Sequence, residues 1–254
     1  MSPFDEGLPA LDCHAHVAAD VTSAQVQGLD GAVVLAVTRT LAEAGYAADH
    51  GDPALVWGCG VHPGDGDALD EFDSDRFAAL VSRFAVVGEV GLDGRRRDMD
   101  RQRAVFVEIL GRCAPEPVLV SIHSANAVSA TLDALEMHPH PGAILHWFLG
   151  DARQVSRAAA LGAYFSVPGA MSDERISRLP QDRVLPETDF PSGGRRSGRR
   201  PGDTAGLEAR LARIWKLGEA EVRHRLWQNL RRVASASGSA DRLPERVQDF
   251  LLIA

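Results

Sequence analysis

The stretch LDCHAHV, residues 11–17, shows the pattern that the rest of the chain repeats, an apolar strand that ends in polar side chains. Because successive side chains of a strand point to opposite faces, His14 and His16 share one face. Two imidazoles this close together are able to bind one metal ion. Two half-exposed histidines at a strand terminus explain the isolated motif equally well, so the other strands have to decide between these interpretations.

Seven more short apolar runs follow, and helical stretches separate them. The eight runs are PALDCHAH, GAVVLAV, ALVWGCGVH, FAVVGEVGLD, PVLVSIH, GAILHWF, GAYFSVPG and DRVLPETD. Residues 100–114 and 125–138, between such runs, place apolar side chains three and four positions apart, which is typical of amphipathic helices. Strands that alternate with helices pair in parallel, so eight units in 254 residues predict an α/β fold, a single-domain (β/α)8 TIM barrel.

Two segments lie outside this pattern. Residues 191–204, PSGGRRSGRRPGDT, are rich in Gly, Ser, Pro and Arg and predict a long loop after the eighth strand. Residues 235–254 predict a C-terminal linker and a short amphipathic tail that packs on the barrel. The hydrolase barrel itself is therefore expected to span residues 1–234.

The composition excludes several classes of protein. No apolar run approaches the ~20 residues of a membrane span, and the N-terminus lacks the pattern of a secretory signal, so we expect a cytoplasmic protein with no membrane partner. The three widely spaced cysteines exclude a disulfide framework and a cysteine-based zinc site. The formal net charge of −8 means that an anionic substrate has to be held by local positive charge.

Polar side chains occur at the ends of six predicted strands, and in a parallel barrel this end holds the active site. They are His14, His16, His62, Glu89, Asp93, His123, His146, Glu187 and Asp189. A cluster of four imidazoles and two carboxylates drawn from this set suits Zn²⁺, Mn²⁺, Fe²⁺ or Co²⁺, and the carboxylates keep Mg²⁺ open. Because six ligands exceed the need of one tetrahedral ion, we expect two divalent metal ions bridged by Glu89.

Several motifs together resemble the TatD-like metal-dependent hydrolase and deoxyribonuclease family of the amidohydrolase superfamily. They are LDCHAHV, GVHPG, VVGEVGLD followed by Gln102 and Phe106, VSIHSANA, ILHWFLG, YFSVPG and PETDFP, and Asn229 matches the final motif of the family. The resemblance implies that the metal ligands are His14, His16, Glu89, His123, His146 and Asp189. It also implies a TatD-type DNase, a metal-dependent hydrolase of ester bonds that often acts as an exonuclease from the 3′ end.

The chain departs from the family pattern at three places. Ala125 and Asn126 occupy positions where the family usually carries Arg or Lys, and Gly94 with an arginine run replaces an aromatic residue after GLD. Pro186 is expected to interrupt the eighth strand. We expect one of the arginines at 95–97 to supply the missing cation from the neighbouring loop.

Arginines after the fourth and eighth strands are expected to form a basic rim around the barrel mouth. The set is Arg95, Arg96, Arg97, Arg195, Arg196, Arg199 and Arg200, and the expected substrate-binding residues are His62, Arg95, Arg195 and Arg196. Guanidinium groups pair with phosphate oxygens without reading bases, so the expected partner is DNA, single-stranded or with frayed ends. A solvated arginine face is the alternative.

Two further groups near the expected mouth have open roles. Glu187 either orients Asp189, hydrogen-bonds a water or is structural. Trp147, Phe148 and Phe165 either stack on a base or belong to the core.

The sequence therefore predicts an exonuclease-like deoxyribonuclease whose catalytic residues are Asp189 and Glu89. Asp189 is expected to accept the proton of a metal-activated water, and Glu89 to hold the metals. The same site would also open an ester or amide, so a metal-dependent deacylase or amidohydrolase acting on a substrate such as aminoacyl-tRNA is one alternative. A binding barrel without turnover is another.

Overall fold

The computed structural model describes residues 7–254 and contains eight parallel strands. The strands are β1 (Leu11–His16), β2 (Val33–Val37), β3 (Leu55–Cys59), β4 (Val86–Gly91), β5 (Leu119–His123), β6 (Ala143–His146), β7 (Tyr164–Pro168) and β8 (Val184–Glu187). Each strand pairs with the next one in chain order. The backbone N–H of Asp189 donates to the carbonyl of His14 at 2.9 Å, which brings the end of β8 back to β1. The predicted TIM barrel is confirmed.

Helices occupy the connections between the strands. They are α1 (Ser23–Gln27), α2 (Leu41–Ala47), α3 (Gly66–Asp70), α4 (Ser74–Val81), α5 (Met99–Cys113), α6 (Val128–Met137), α7 (Ala152–Ala160), α8 (Asp173–Ser177), α9 (Ala205–Trp215), α10 (Glu219–Ser237) and α11 (Glu245–Ile253). The two helices predicted over 100–114 and 125–138 are confirmed as α5 and α6. Short polar side chains cap the N-termini of several helices. At the start of α7, for example, the Asp151 carboxylate accepts a hydrogen bond from the Gln154 N–H at 2.9 Å. Within residues 7–254, no helix is long and apolar enough to cross a membrane.

Alternation along the strands divides the apolar residues between two regions. In β2, Val34 and Ala36 pack with the surrounding helices, whereas Val33 and Leu35 belong to the cluster inside the barrel. Both faces of the strand are therefore buried, which explains why the strands read as continuous apolar runs in the sequence.

The end of the barrel where the strands begin is closed by α10 and α11. Trp227 of α10 is fully buried, its ring centroid lies 5.3 Å from that of Phe250 in α11, and its Nε1 donates to the carbonyl of Pro9 at 2.9 Å. Both rings belong to the interior cluster, together with strand residues such as Leu11. We call this cluster the floor of the barrel. The segment after residue 234 continues α10 to Ser237 and then forms α11, and the domain boundary at 234 stays a prediction.

The eighth strand contains a proline and is followed by a long loop. β8 continues through Pro186, which pairs with Val167 of β7 in regular register, so the expectation that this proline interrupts the strand is wrong. A proline is tolerated wherever no ladder partner needs its missing N–H. Residues 188–204 then contain neither helix nor strand, as predicted for the arginine-containing loop.

Candidate active site

Glu89 lies at the centre of the barrel mouth, the end where the strands finish. Its side chain is buried, and its Oε1 lies 2.5 Å from His123 Nδ1 and 3.1 Å from His146 Nε2. Its Oε2 lies 3.1 Å from His16 Nε2 and 3.3 Å from His62 Nε2. Each carboxylate oxygen therefore contacts two imidazoles from different parts of the barrel, which is the placement that a bridging ligand needs.

His14 and Asp189 complete the cluster on the β1 side. His14 Nε2 lies 3.7 Å from Glu89 Oε2 and 3.9 Å from Asp189 Oδ1. This nitrogen is buried and has no hydrogen-bond partner, although the other ring nitrogen contacts Ser121 Oγ at 2.8 Å. An unpaired buried polar atom costs about 1–3 kcal/mol, and a coordinated cation would satisfy it. The donor set thus fits a metal.

Local irregularities of two strands aim these ligands into the mouth. The register between β1 and β2 shifts between Asp12 and Ala15, and the register between β4 and β5 shifts between Val87 and Val90. Such bulges re-aim a side chain next to active sites. Gly91 follows Glu89 with a φ of +134°, and a Cβ there would lie 2.2 Å from the carbonyl oxygen of His123, so only glycine fits.

Ligand atoms converge in groups small enough for one ion each. His14, His16 and Asp189 offer three atoms that lie within 4.8 Å of one another. On the other side, His123 Nδ1 and His146 Nε2 are 3.2 Å apart and share Glu89 Oε1. The other five residues that the family resemblance named as ligands therefore come together around Glu89.

Burial and neighbouring charge set the protonation of the cluster. Burial lowers the pKa of His14 well below its ordinary value, so this imidazole is neutral, the form that binds metals. Burial also raises the pKa of Asp189 to about 7. Burial opposes charge on Glu89 as well, but His146 and His123 outweigh it and hold the pKa of this carboxyl well below its usual range.

Glu187 supports His146 from behind. Its carboxylate accepts from Ser166 Oγ at 2.5 Å and from the Trp147 N–H at 3.1 Å, and its Oε1 lies 3.4 Å from His146 Nδ1. The last distance is longer than an ordinary hydrogen bond, so this contact is electrostatic. A carboxylate here favours a proton on Nδ1 and leaves Nε2 free for a metal. The described contacts of Glu187 are therefore with Ser166, Trp147 and His146, and none of its hydrogen bonds goes to Asp189.

Asp93 supports His123 in the same way. Its Oδ2 lies 3.3 Å from His123 Nε2 and accepts from Arg95 Nη2 at 2.6 Å. Gln102 in α5 fixes the backbone of Asp93, accepting from its N–H at 2.7 Å and donating to its carbonyl at 3.2 Å. The glutamine of the family motif therefore holds the segment that carries Asp93 and Arg95.

Asp12 is a site residue that the sequence reasoning missed. It is fully buried and accepts from the Thr188 N–H at 2.9 Å, Thr188 Oγ1 at 2.6 Å and the Gly202 N–H at 2.8 Å. Burial raises its pKa to about 6 against these hydrogen bonds. The contacts tie β1 to the segment that carries Asp189. A carboxylate inside the apolar run LDCHAHV was the signal that could have revealed it.

The seven arginines do not form one rim. Arg95 lines the mouth, with Nη2 3.4 Å from His123 Nε2. Arg200 pairs with Asp30 at 2.5 Å, just before β2 and therefore at the opposite end of the barrel, so the expectation is wrong for this residue. The other five are exposed at their loops: Arg96 and Arg97 after β4, and Arg195, Arg196 and Arg199 after β8.

Aromatic residues near the mouth separate into two kinds. Phe148 and Phe165 are buried in the core with ring centroids 5.4 Å apart. Trp147 is partly exposed and lines the mouth cavity, whose volume is about 310 Å³. The alternatives left open by the sequence therefore resolve as core for the two phenylalanines and mouth for Trp147.

The barrel and its histidine and carboxylate cluster together define a class, the barrels of metal-dependent hydrolases. Comparison with known proteins identifies the family. The sequence model of the TatD related DNase family matches residues 10–235, and this chain belongs to that family. The resemblance stated from the motifs is thereby confirmed.

Individual relatives agree with this assignment. The 3′-5′ ssDNA/RNA exonuclease TatD of Edwardsiella piscicida is 30% identical over 186 residues, 67% of this chain and 72% of that protein. The protein of the same name from Cronobacter turicensis is 34% identical over 146 residues, 52% of this chain but only 56% of that protein. The crystal structure of YJJV, a TatD homolog from Escherichia coli K12, superposes with a TM-score of 0.75 at 20% identity, covering 87% of this chain and 97% of that one, which supports the fold.

Proposed function

We propose that this protein is a divalent-metal-dependent exonuclease that hydrolyses phosphodiester bonds of single-stranded or frayed DNA from the 3′ end. The observation that carries the proposal is Glu89, buried in the barrel mouth with two imidazoles against each carboxylate oxygen. Relatives named 3′-5′ ssDNA/RNA exonuclease support the substrate class and extend it to RNA.

Two divalent ions, Zn²⁺, Mn²⁺ or Mg²⁺, are the proposed cofactor. His14, His16 and Asp189 would hold one ion, His123 and His146 the other, and Glu89 would bridge them. When bound, such ions lower the pKa of water toward ~7 and offset the negative charge that develops on the phosphoryl oxygens.

Asp189 is the proposed proton acceptor. Its carboxylate is largely buried beside His14, and burial raises its pKa to about 7, which suits proton transfer near neutral pH. The backbone hydrogen bond of its N–H to the His14 carbonyl fixes its position relative to β1. Asp189 therefore takes the proton of the attacking water, and Glu89 stays ionised among its histidines.

His62 and Arg95 are proposed to bind the substrate. The Gly64 N–H donates to His62 Nδ1 at 2.9 Å, so the neutral ring carries its proton on Nε2. This nitrogen lies 3.3 Å from Glu89 Oε2 at the wall of the mouth, and it would donate to a phosphate oxygen once a metal occupies the Glu89 carboxylate. Arg95 uses Nε and Nη2 to pair with Asp93, which leaves Nη1 to reach a phosphate. Exposed Arg195 and Arg196 are proposed to contact the nucleic-acid strand beyond the mouth.

Location of the protein in the cytoplasm stays a prediction.

A deacylase acting on an ester or amide, such as aminoacyl-tRNA, is the second candidate. The observation that favours it concerns the bond held in the mouth: an ester or amide is uncharged, unlike a phosphodiester, and Arg95 is the one guanidinium among the described residues that line the cavity. Ala125 occupies part of the same wall and offers no charge. Phosphate recognition therefore rests on few groups.

One assay separates these candidates. Metal-loaded protein is incubated with single-stranded oligonucleotides labelled at the 3′ or at the 5′ end, and in parallel with aminoacylated tRNA. We expect the 3′ label to be released first as a mononucleotide while the 5′-labelled strand shortens stepwise. Release of amino acid without release of nucleotide would favour the deacylase, and turnover of neither by metal-loaded protein would favour a binding barrel.

A further inference from the structure

Trp147 is held in the mouth by an unusual backbone conformation. Its φ is +39°, in a region that residues other than glycine rarely adopt. Its N–H is fixed by two acceptors, the Ser166 carbonyl at 3.1 Å and Glu187 Oε1 at 3.1 Å. The carboxylate that supports His146 therefore also sets the backbone of the next residue. Conformations of this kind persist where surrounding contacts impose them, often at functional sites.

The exposure of this segment alternates. Trp147 and Leu149 line the mouth cavity, whereas Phe148 between them is buried in the core. Leu149 is 47% exposed, one of few large apolar side chains with such exposure. The other three tryptophans, Trp57, Trp215 and Trp227, are 5%, 7% and 0% exposed. Single exposed apolar residues are common on protein surfaces, but these two both line one cavity, which the histidine and carboxylate cluster also lines.

The composition of the cavity shows what this wall can bind. Arg95 is the one guanidinium among the described residues that line the cavity, and Asp93 pairs with it. Most of the other lining residues belong to the histidine and carboxylate cluster or are serines, and the apolar part of the wall is Ala125, Trp147 and Leu149. A planar ring can stack on the indole of Trp147. Every nucleobase has a planar π-face, so such stacking does not depend on the sequence of the nucleic acid.

We infer that Trp147 and Leu149 form a stacking wall for the 3′-terminal nucleobase of the substrate and make the enzyme selective for an end that carries a base. The inference rests on the proposed function, because it assigns the substrate of the same site. Stacking of a base on an aromatic side chain changes affinity by roughly tenfold or more. The enzyme should therefore prefer a 3′-terminal nucleotide that carries a base over an abasic one, with no preference among the four bases.

The first test uses the fluorescence of Trp147. Because the other three tryptophans are buried, quenching on binding reports mainly this residue. Metal-loaded protein is titrated with a short single strand whose terminal linkages are phosphorothioates, which slows hydrolysis, and with the same strand ending in an abasic residue. We expect quenching by the first strand, and at least roughly tenfold weaker binding with little quenching for the second.

The second test compares cleavage of the two ends. The wild-type enzyme should prefer an intact 3′ end over an abasic one by roughly tenfold or more in kcat/KM. Trp147→Ala should lose this preference, and Trp147→Phe should keep most of it. Tyr46→Ala is the matched control, since Tyr46 is an exposed aromatic residue on α2 outside the mouth, and it should leave the preference unchanged. Leu149→Ser provides a second variant with little risk to folding.

The outcomes separate the two proposals. Normal cleavage of oligonucleotides with the same preference in wild type, Trp147→Ala and Leu149→Ser would overturn the stacking wall and leave the exonuclease intact. A metal-loaded wild-type protein that neither binds nor cuts any oligonucleotide would overturn the proposed function, and the stacking wall with it.

Discussion

The two ends of the barrel are built from the same eight strands but from opposite kinds of side chain. At the mouth, buried polar groups crowd together, and His14 Nε2 has no hydrogen-bond partner. At the floor, Leu11, Trp227 and Phe250 form an apolar cluster in which the indole N–H is satisfied by Pro9. The mouth gives up stability for a reactive arrangement, whereas the floor supplies stability and no chemistry.

The free energies involved differ in sign between the two ends. Burying a large apolar side chain stabilises a fold by about 1.5–3 kcal/mol, whereas an unpaired buried polar atom costs about 1–3 kcal/mol. Substitutions at the mouth should therefore remove activity and spare the fold. Substitutions at the floor should lower the free energy of unfolding and leave the activity of the folded molecules unchanged.

The largest effect is expected from Glu89→Gln. The amide removes the negative charge that would neutralise two cations, so the loss of transition-state stabilisation should lower kcat/KM by ~10³-fold or more. Circular dichroism and the melting temperature should show a retained fold. Near-normal turnover in this variant would contradict the role of Glu89 as bridge.

Trp227→Ala should be the largest change in stability. Removing a fully buried indole from the floor leaves a cavity next to Phe250 and should lower the free energy of unfolding by about 3–5 kcal/mol. Urea denaturation measures this loss, and activity per folded molecule should stay at the wild-type level. Trp227→Phe is the control and should lose less. If the alanine variant stayed within about 1 kcal/mol of wild type, the floor would not be the source of stability.

Asp189→Asn should lower kcat by ~10²-fold, the scale of a lost general base, with a smaller change in KM. In free energy this is about 2.7 kcal/mol, less than the expected loss at Trp227. Steady-state kinetics on an oligonucleotide gives both constants. A loss confined to KM would show that Asp189 serves binding instead of proton transfer.

Glu187→Gln should have the smallest effect, a loss of ~10-fold or more in metal affinity, because His146 loses the carboxylate that orients its ring. Competition with a chelating dye measures this affinity. Glu208→Gln is the matched control, since Glu208 is also a buried carboxylate but pairs with Arg223 at 2.5 Å, away from the mouth. Equal losses in the two variants would show a general effect of buried charge.

The contrast between the two ends also explains how much the sequence could reveal. The strands could be predicted from the sequence because both of their faces are buried, which makes each strand a continuous apolar run. Alternation of side chains along β1 also predicted that His14 and His16 share one face. What stayed hidden depends on contacts far apart in sequence. Asp12 accepts hydrogen bonds from Thr188, 176 positions away, and from Gly202, and Arg200 pairs with Asp30. The contact of Glu187 with His146 joins β8 to β6, and no local sequence pattern predicts it, so the role of Glu187 stayed open among three alternatives.

Metal analysis of the purified protein after equilibration with Mn²⁺ or Zn²⁺ tests the central claim most directly. We expect the wild-type chain to retain two ions after removal of free metal, and Glu89→Gln to lose at least one of them while circular dichroism stays unchanged. Wild-type protein that retains no ion, or a Glu89→Gln variant with the full wild-type content, would contradict the account of the mouth as a two-metal centre.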